Sequence, residues 1–446
     1  MNAPLYEALC ALAEKNDLRM HMPGHKGKSA SPFFSVSAID YTEIPTTGNL
    51  YTGEGPIGQA EELAAKAWGA AHAYFLTGGS TQGIMTGLSL CAAPGSKILL
   101  DRNTHKSFFN GCALLDLRPV YLREPTAEGV EKRLTAQKDI KAVCITSPTY
   151  YGVILDVAGI GAVCRRCGVK LLVDEAHGAH FPFVGRGPCA AGRGADISVS
   201  SAHKTLPALG SSALLFTRDG FSPAAVREKM AMFGTSSPSY PILASIDWAR
   251  ACLEGEGGAE YRRAAEHTAR LRKEINGRGV FHALWEKDGQ ALDPTRLTVC
   301  TSVGGLLGTK AAEILQETYG IWPEMDNRDC VVCIITGNDS EEDLERLGRA
   351  FYALEALADV ENRQSVCPPP PQPEICMSIR EAVFSQRETV TLRTACGKVS
   401  AVSIAPYPPG VPVVAPGERI REEILTYFAQ IGYDLDEQIS VAAEGV

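Results

Sequence analysis

Ser200-Ser201-Ala202-His203-Lys204-Thr205-Leu206-Pro207 follows Leu171-Leu172-Val173-Asp174-Glu175-Ala176-His177 in the chain, with 30 residues from Asp174 to Lys204. Each motif closes an apolar run, 169–173 and 197–200, that reads as a strand. Parallel strands of this kind deliver their last residues to one edge of a sheet, so an aspartate and a lysine can share one opening. The lysine stands before the apolar turn Leu206-Pro207-Ala208-Leu209, where partial desolvation lowers an amine's pKa and favours its condensation with an aldehyde. The competing reading is a surface lysine with a packed aliphatic stem. An aspartate at the neighbouring strand end can keep a pyridine nitrogen protonated. The pair therefore predicts pyridoxal 5'-phosphate (PLP) as cofactor.

Outward from this pair the pattern alternates. Upstream, strands are expected at 73–76, 97–100 and 142–146, with helices over 61–68, from about 105, and over 160–167. Strand–helix alternation of this kind predicts an α/β fold with a mostly parallel sheet and active residues on the loops beyond strand ends. Beyond Ser237-Pro238-Ser239-Tyr240-Pro241 the chain reads helical to about 276. Strands at 297–302 and 331–335 and a helix over 341–357 suit a smaller α+β unit. A proline-rich stretch at 368–373 reads as a stiff linker, followed by a helix near 378–385 and a strand at 401–404. The resulting division is an N-terminal arm (1–30), a PLP-binding large domain (31–278), a small α+β domain (279–365) and a C-terminal domain (366–446). The arm combines an amphipathic stretch (Leu5, Leu9, Leu12) with the Gly/Pro-rich loop 21–27.

Composition bounds the partners. A chain of 446 residues exceeds one ordinary core. A net charge of −9 argues against nucleic-acid or anionic-membrane surfaces, while a small-molecule phosphate pocket stays compatible. The start lacks a basic then apolar leader pattern, and no apolar run reaches about 18 residues, so a cytoplasmic protein is expected. Fourteen cysteines are scattered through apolar runs. The pairs Cys164/Cys167 and Cys330/Cys333 lack a knuckle turn and an ordered partner pair, so no metal site is expected and the cysteines read as reduced core residues.

Three further motifs carry chemistry or imitate it. Thr77-Gly78-Gly79-Ser80-Thr81 joins a strand to a helix, where free N–H groups and the helix dipole favour an anion; Gly79, Ser80 and Thr81 are candidate phosphate ligands. An ordinary capped turn is the plainer alternative. His105, four residues past a strand end, can stack on a cofactor ring or simply start a helix. Gly53-Glu54-Gly55-Pro56-Ile57-Gly58 matches a dinucleotide fingerprint literally, but no apolar strand precedes it and a proline interrupts it.

Together these segments resemble the Orn/Lys/Arg decarboxylase family, the fold-type-I PLP enzymes acting on basic amino acids. The match includes His21-Met22-Pro23-Gly24-His25-Lys26, Asn103-Thr104-His105-Lys106-Ser107, Asp174–His180, His203–Leu209, Ser237–Pro241 and Pro406–Pro412, and covers nearly the whole chain. Its length is similar to that of the short members without an N-terminal wing domain. The resemblance implies that Lys204 joins the cofactor, Asp174 pairs with its ring nitrogen and His105 stacks on it. His177 would lie near its other face or phenolic oxygen. Ser80, Thr81, Ser201 and His203 would hold the phosphate, with Ser237 entering from a partner subunit of a homodimer or larger assembly. Glu418 is the candidate reader of a cationic substrate side chain. The implied activity is decarboxylation of arginine, lysine or ornithine toward polyamines, with Lys204, His203 or His177 as the acid that reprotonates carbon. Where family members carry Asp-Asp-Leu-His this chain has Gly48-Asn49-Leu50-Tyr51, and the segments 183–188 and 210–211 also depart, which leaves the substrate open. An aminotransferase or carbon–carbon lyase on the same fold, and a non-catalytic PLP-binding subunit, are the alternatives.

Overall fold

The computed structural model describes residues 18–20, 48–286, 289–359, 361, 363, 367–406 and 410–443. The arm around Leu5, Leu9 and Leu12, the loop 21–27 and residues 407–409 lie outside these. Seven strands form the central sheet: β1 (His72–Leu76), β2 (Lys97–Asp101), β3 (Arg118–Leu122), β4 (Ile140–Thr146), β5 (Lys170–Asp174), β6 (Ile197–Ser201) and β7 (Ala213–Thr217). Their order is β1-β7-β6-β5-β4-β2-β3, parallel throughout except for β7. The fold is thus α/β of fold-type-I class with a mixed, mostly parallel sheet.

Both faces are buried, which is why the strands read as continuous apolar runs. In β4 and β5, Val143, Ile145, Leu171 and Val173 meet Val157, Ile160 and Cys164 of helix α4. Ala142, Cys144 and Leu172 point the other way, against Ile84 and Leu88 of α2 and Phe108 and Phe109 of α3. The helices are α1 (Gly55–Trp68), α2 (Gly79–Cys91), α3 (Lys106–Leu115) and α4 (Val157–Cys167). Helix α2 carries glycines because it lies almost on the sheet. A Cβ on Gly83 would sit 2.5 Å from Val199, and one on Gly87 2.7 Å from Leu172. That closeness brings the N-terminus of α2 beside the ends of β5 and β6.

Helix α5 (Gly257–Arg278) links two cores, placing Tyr261 in one and Leu271 and Ile275 in the next. The second core lies under an antiparallel sheet of β8 (His282–Ala283), β9 (Arg296–Cys300), β10 (Met325–Asp326) and β11 (Cys330–Ile334), in the order β8-β9-β11-β10. Helix α6 (Glu341–Leu354) closes it with Leu344, Leu347 and Phe351, and begins with a reciprocal Ser340–Asp343 cap. A C-terminal cluster around Leu392, Ile420, Ile424 and Phe428 completes the described chain.

Two elements differ from expectation, and the glycine motif set aside above lies at a helix start. The strand expected at 401–404 forms only isolated bridges, Ser400 to Val441 and Ile404 to Val414. The Ser400 hydroxyl donates to the Val402 carbonyl and accepts from its N–H, offering the backbone a local alternative to a ladder. The edge strand β3 contains Pro119, which masks a strand signal yet suits an edge. The Gly53–Gly58 glycine motif forms the turn and first residues of α1, with Pro56 in its first turn.

Candidate active site

Strands β5 and β6 end side by side, and their last residues open onto one cluster. Asp174 is buried at 4% exposure and accepts the Ala176 N–H at 3.0 Å. Burial pushes its carboxyl up, opposed by the nearby charge of Lys204. One residue past β6, a short helix (Ala202–Thr205) turns Lys204 back over the sheet end. The amine stands 3.0 Å from His177 Nε2 and 5.9 Å from the ring centre of Tyr150. Burial pulls the Lys204 amine below its ordinary value, with Arg296 adding to the fall and Asp174 and Glu324 opposing it. Both members of the Asp174/Lys204 pair are thus shifted toward neutrality, because desolvation outweighs their mutual attraction.

His177 is nearly fully buried, and its ring packs edge-on against Tyr150 at 4.5 Å. Burial, then Lys204 and Arg296, hold its imidazole well below the usual range. His203 donates Nδ1–H to the Ser212 carbonyl at 2.8 Å, leaving Nε2 as its other edge. His105 caps α3, its Nδ1 accepting from the Ser107 N–H at 3.2 Å. Burial, Lys204 and Lys106 lower its pKa to about 4, so the half-buried ring is neutral.

The residues present fit the cofactor. Ser201 Oγ is buried at the end of β6 without a hydrogen-bond partner among the described residues. The first turn of α2 offers the N–H groups of Ser80 and Thr81, which have no acceptor four residues back. Gly79 supplies the turn itself (φ 69°), its N–H donating to the Ser211 carbonyl at 2.8 Å. Ser211 itself has φ 68°, and the Ser212 carbonyl next to it holds the short Lys204 helix through Ala202 N–H. The departing pair Gly210-Ser211 therefore sits where the phosphate turn and the lysine helix are pinned together.

Two expected residues lie apart from this cluster. Ser237 is exposed, bonded through its own N–H to Thr235 Oγ1. Glu418 is the second. At 1% exposure it forms a salt bridge with Arg102 at 3.0 Å and accepts the Ala415 N–H, so its carboxylate fastens the C-terminal segment to the end of β2. Asn49, where an acid was missing, caps its own turn by accepting the Tyr51 N–H at 2.8 Å.

The structure also brings in residues without a sequence signal. Arg296, first in β9 and 1% exposed along its side chain, donates to His177 Nδ1 at 2.9 Å. Behind it, Asp293 lies 2.9 Å from His180 and 3.9 Å from Arg296. Burial pushes the Asp293 carboxyl up, but His180, Arg296 and the Thr295 N–H together hold it well below the usual range. Tyr150 donates its hydroxyl to Glu324, which tethers that carboxylate to the ring facing Lys204. Tyr150 was within reach of sequence reasoning, since it follows the end of β4. Arg296 begins a strand of the second sheet and Glu324 directly precedes another, β10, and neither had such a marker.

The family model for the Orn/Lys/Arg decarboxylase major domain matches residues 3–301, and that for the C-terminal domain matches 365–435. The arginine decarboxylase of Bacillus subtilis (strain 168) is 33% identical, over 95% of this chain and 92% of that protein. The constitutive lysine decarboxylase of Escherichia coli (strain K12) is 25% identical, over 95% of this chain and 76% of its own length. The solved structure of that E. coli protein superposes with a TM-score of 0.74, covering 99% of this chain and 82% of its own. By these matches the chain belongs to the Orn/Lys/Arg decarboxylase family and is a PLP-dependent amino-acid decarboxylase.

Proposed function

We propose that the chain converts a basic amino acid, with arginine preferred, to its amine and CO₂ in the cytoplasm, in a route toward polyamines. The observation that carries the reading is the juxtaposition of Asp174, Lys204 and His177 at adjoining strand ends. When bound, PLP supplies the electron sink for loss of CO₂. Asp174 presents an anion to the ring nitrogen, Ser80, Thr81, Ser201 and His203 hold the phosphate, and His105 covers the ring. The preference for arginine rests on the 33% identity with the B. subtilis arginine decarboxylase, against 25% for the E. coli lysine enzyme.

Glu324 replaces Glu418 as the proposed reader of the distal cation. It lies one tyrosine away from Lys204, and its charge acts on both Lys204 and His203. The aminotransferase alternative lacks its carboxylate grip among the C-terminal arginines. Arg393 pairs with Asp436, and Arg419 and Arg421 pair with Glu374, all at the surface.

Purified protein given PLP and arginine, lysine or ornithine should release CO₂ and the amine, whereas transamination yields the keto acid. Lys204→Ala should lose borohydride-trappable cofactor and all turnover; turnover that survives ends the assignment. Glu324→Gln should raise KM for the dibasic substrate roughly 10- to 100-fold, the equivalent of about 1.5–3 kcal/mol for a hydrogen bond to a charged group. An unchanged KM removes Glu324 from the site.

A further inference from the structure

We infer that Arg296 is a positioning residue: by donating to His177 Nδ1 it fixes the Nε2–H tautomer, so that His177 presents a proton donor to Lys204 and Lys204 stands as a free amine. A guanidinium can only donate, so the 2.9 Å contact with Nδ1 requires a lone pair on that nitrogen. In a neutral imidazole the proton then belongs to Nε2, 3.0 Å from Lys204 Nζ. That N–H needs an acceptor, and the only one Lys204 offers is the lone pair of its unprotonated amine. An ammonium in the same place would set two donors against each other. The three residues therefore form a chain in which each donor dictates the next.

Arg296 itself is held for this task. Its Nε lies 3.9 Å from Asp293, and its carbonyl accepts from the Arg272 guanidinium. Nε and Nη1 have no hydrogen-bond partner among the described residues, so the bond to His177 is the one its side chain makes there. The charges around Lys204 come from several elements. Asp174 ends β5, and Glu324 stands behind Tyr150; both favour the ammonium. Arg296 on β9 opposes it. His177 feels the cationic forms of His105 and His203 as well, which disfavour protonation of its own ring. Burying a guanidinium with unsatisfied nitrogens costs stability, and a cost of that kind is tolerated at sites where the charge has a task.

The inference rests on Lys204 as the cofactor lysine and is independent of which amino acid is decarboxylated. It is tested on the apoprotein. Imidazole ¹⁵N shifts of His-labelled full-length protein, with His177 assigned by its loss in His177→Gln, should show the Nε2–H tautomer. The rate of PLP capture, followed by visible absorbance against pH, should have a midpoint that rises by at least about one unit in Arg296→Met, a roughly tenfold slower capture below the midpoint. Arg296→Gln, which keeps an amide donor, should retain the tautomer. An Nδ1–H tautomer in wild type overturns the proposal whether or not Arg296→Met folds. So does an unchanged midpoint in a folded Arg296→Met, or a raised substrate KM with tautomer and midpoint unmoved, which would make Arg296 a substrate grip. Capture of PLP at Lys204 without CO₂ release from any basic amino acid would sink the functional reading alone.

Discussion

His105 holds the first turn of α3 with Nδ1 and lies near enough to Lys204 to feel its charge, and this burial has a thermodynamic signature. Its pKa falls from 6.5 to about 4 on folding, chiefly through burial. Between those values the unfolded chain binds a proton that the folded chain refuses, so stability rises with pH across this window and is level above it. His177 is shifted the same way and adds to the slope. The His105 share is at most about 3 kcal/mol. Thermal midpoints of the apoprotein measured from pH 4 to 7 should fall on acidification. His105→Asn, which keeps a capping side chain, should flatten the fall. An identical pH dependence in the two proteins would show that the His105 ring titrates as if in water.

At the scale of elements, the Arg102–Glu418 bridge gives a carboxylate a structural partner that its local sequence does not announce. Arg102 leaves the end of β2 and donates to the Pro412 and Val413 carbonyls at 2.7 and 3.0 Å as well as to Glu418, 316 residues away in sequence. Nothing local announces a partner at that separation, so an acid beside a proline-rich loop read as a substrate contact. Arg102→Met leaves Glu418 buried and unpaired and should destabilise the protein by about 3–5 kcal/mol. Glu418→Gln should lower the melting point and leave KM unchanged; a raised KM at constant melting point would restore the substrate role. By contrast, Asp174, Lys204 and the glycine turn that opens α2 were legible because each is a local device. A strand end, a desolvated turn and a Gly-Gly-Ser-Thr junction between strand and helix leave marks within a few residues. Arg296 and Glu324 leave none, because they matter only once β9 and the Glu324 turn are packed against the large sheet's open edge. Ser400 defeated a strand reading for a local reason, its hydroxyl taking the Val402 N–H that a ladder needs.

For the whole molecule the open question is whether one chain makes a complete site. The cluster around Lys204 gathers the residues proposed to hold the cofactor, whereas Ser237 stands exposed on the loop before Tyr240–Glu254, and among the described residues its hydrogen bond runs from its backbone N–H to Thr235 Oγ1. An exposed hydroxyl outside its own site is what a two-fold dimer would use to complete a neighbour's, since an isologous contact exchanges the same surface in both directions. The consequence is a complementation test. Lys204→Ala homodimers should be inactive for want of the amine, and Ser237→Glu homodimers should bind PLP poorly because a carboxylate faces the phosphate. Unfolded together and refolded in equal amounts, the two variants should regain roughly a quarter of wild-type activity, since half of the dimers are mixed and each mixed dimer rebuilds one intact site. Activity that stays at the sum of the two separate preparations would place Ser237 outside the partner's site. Full activity of Ser237→Glu on its own would say the same, because a charge that repels phosphate cannot be neutral where phosphate binds.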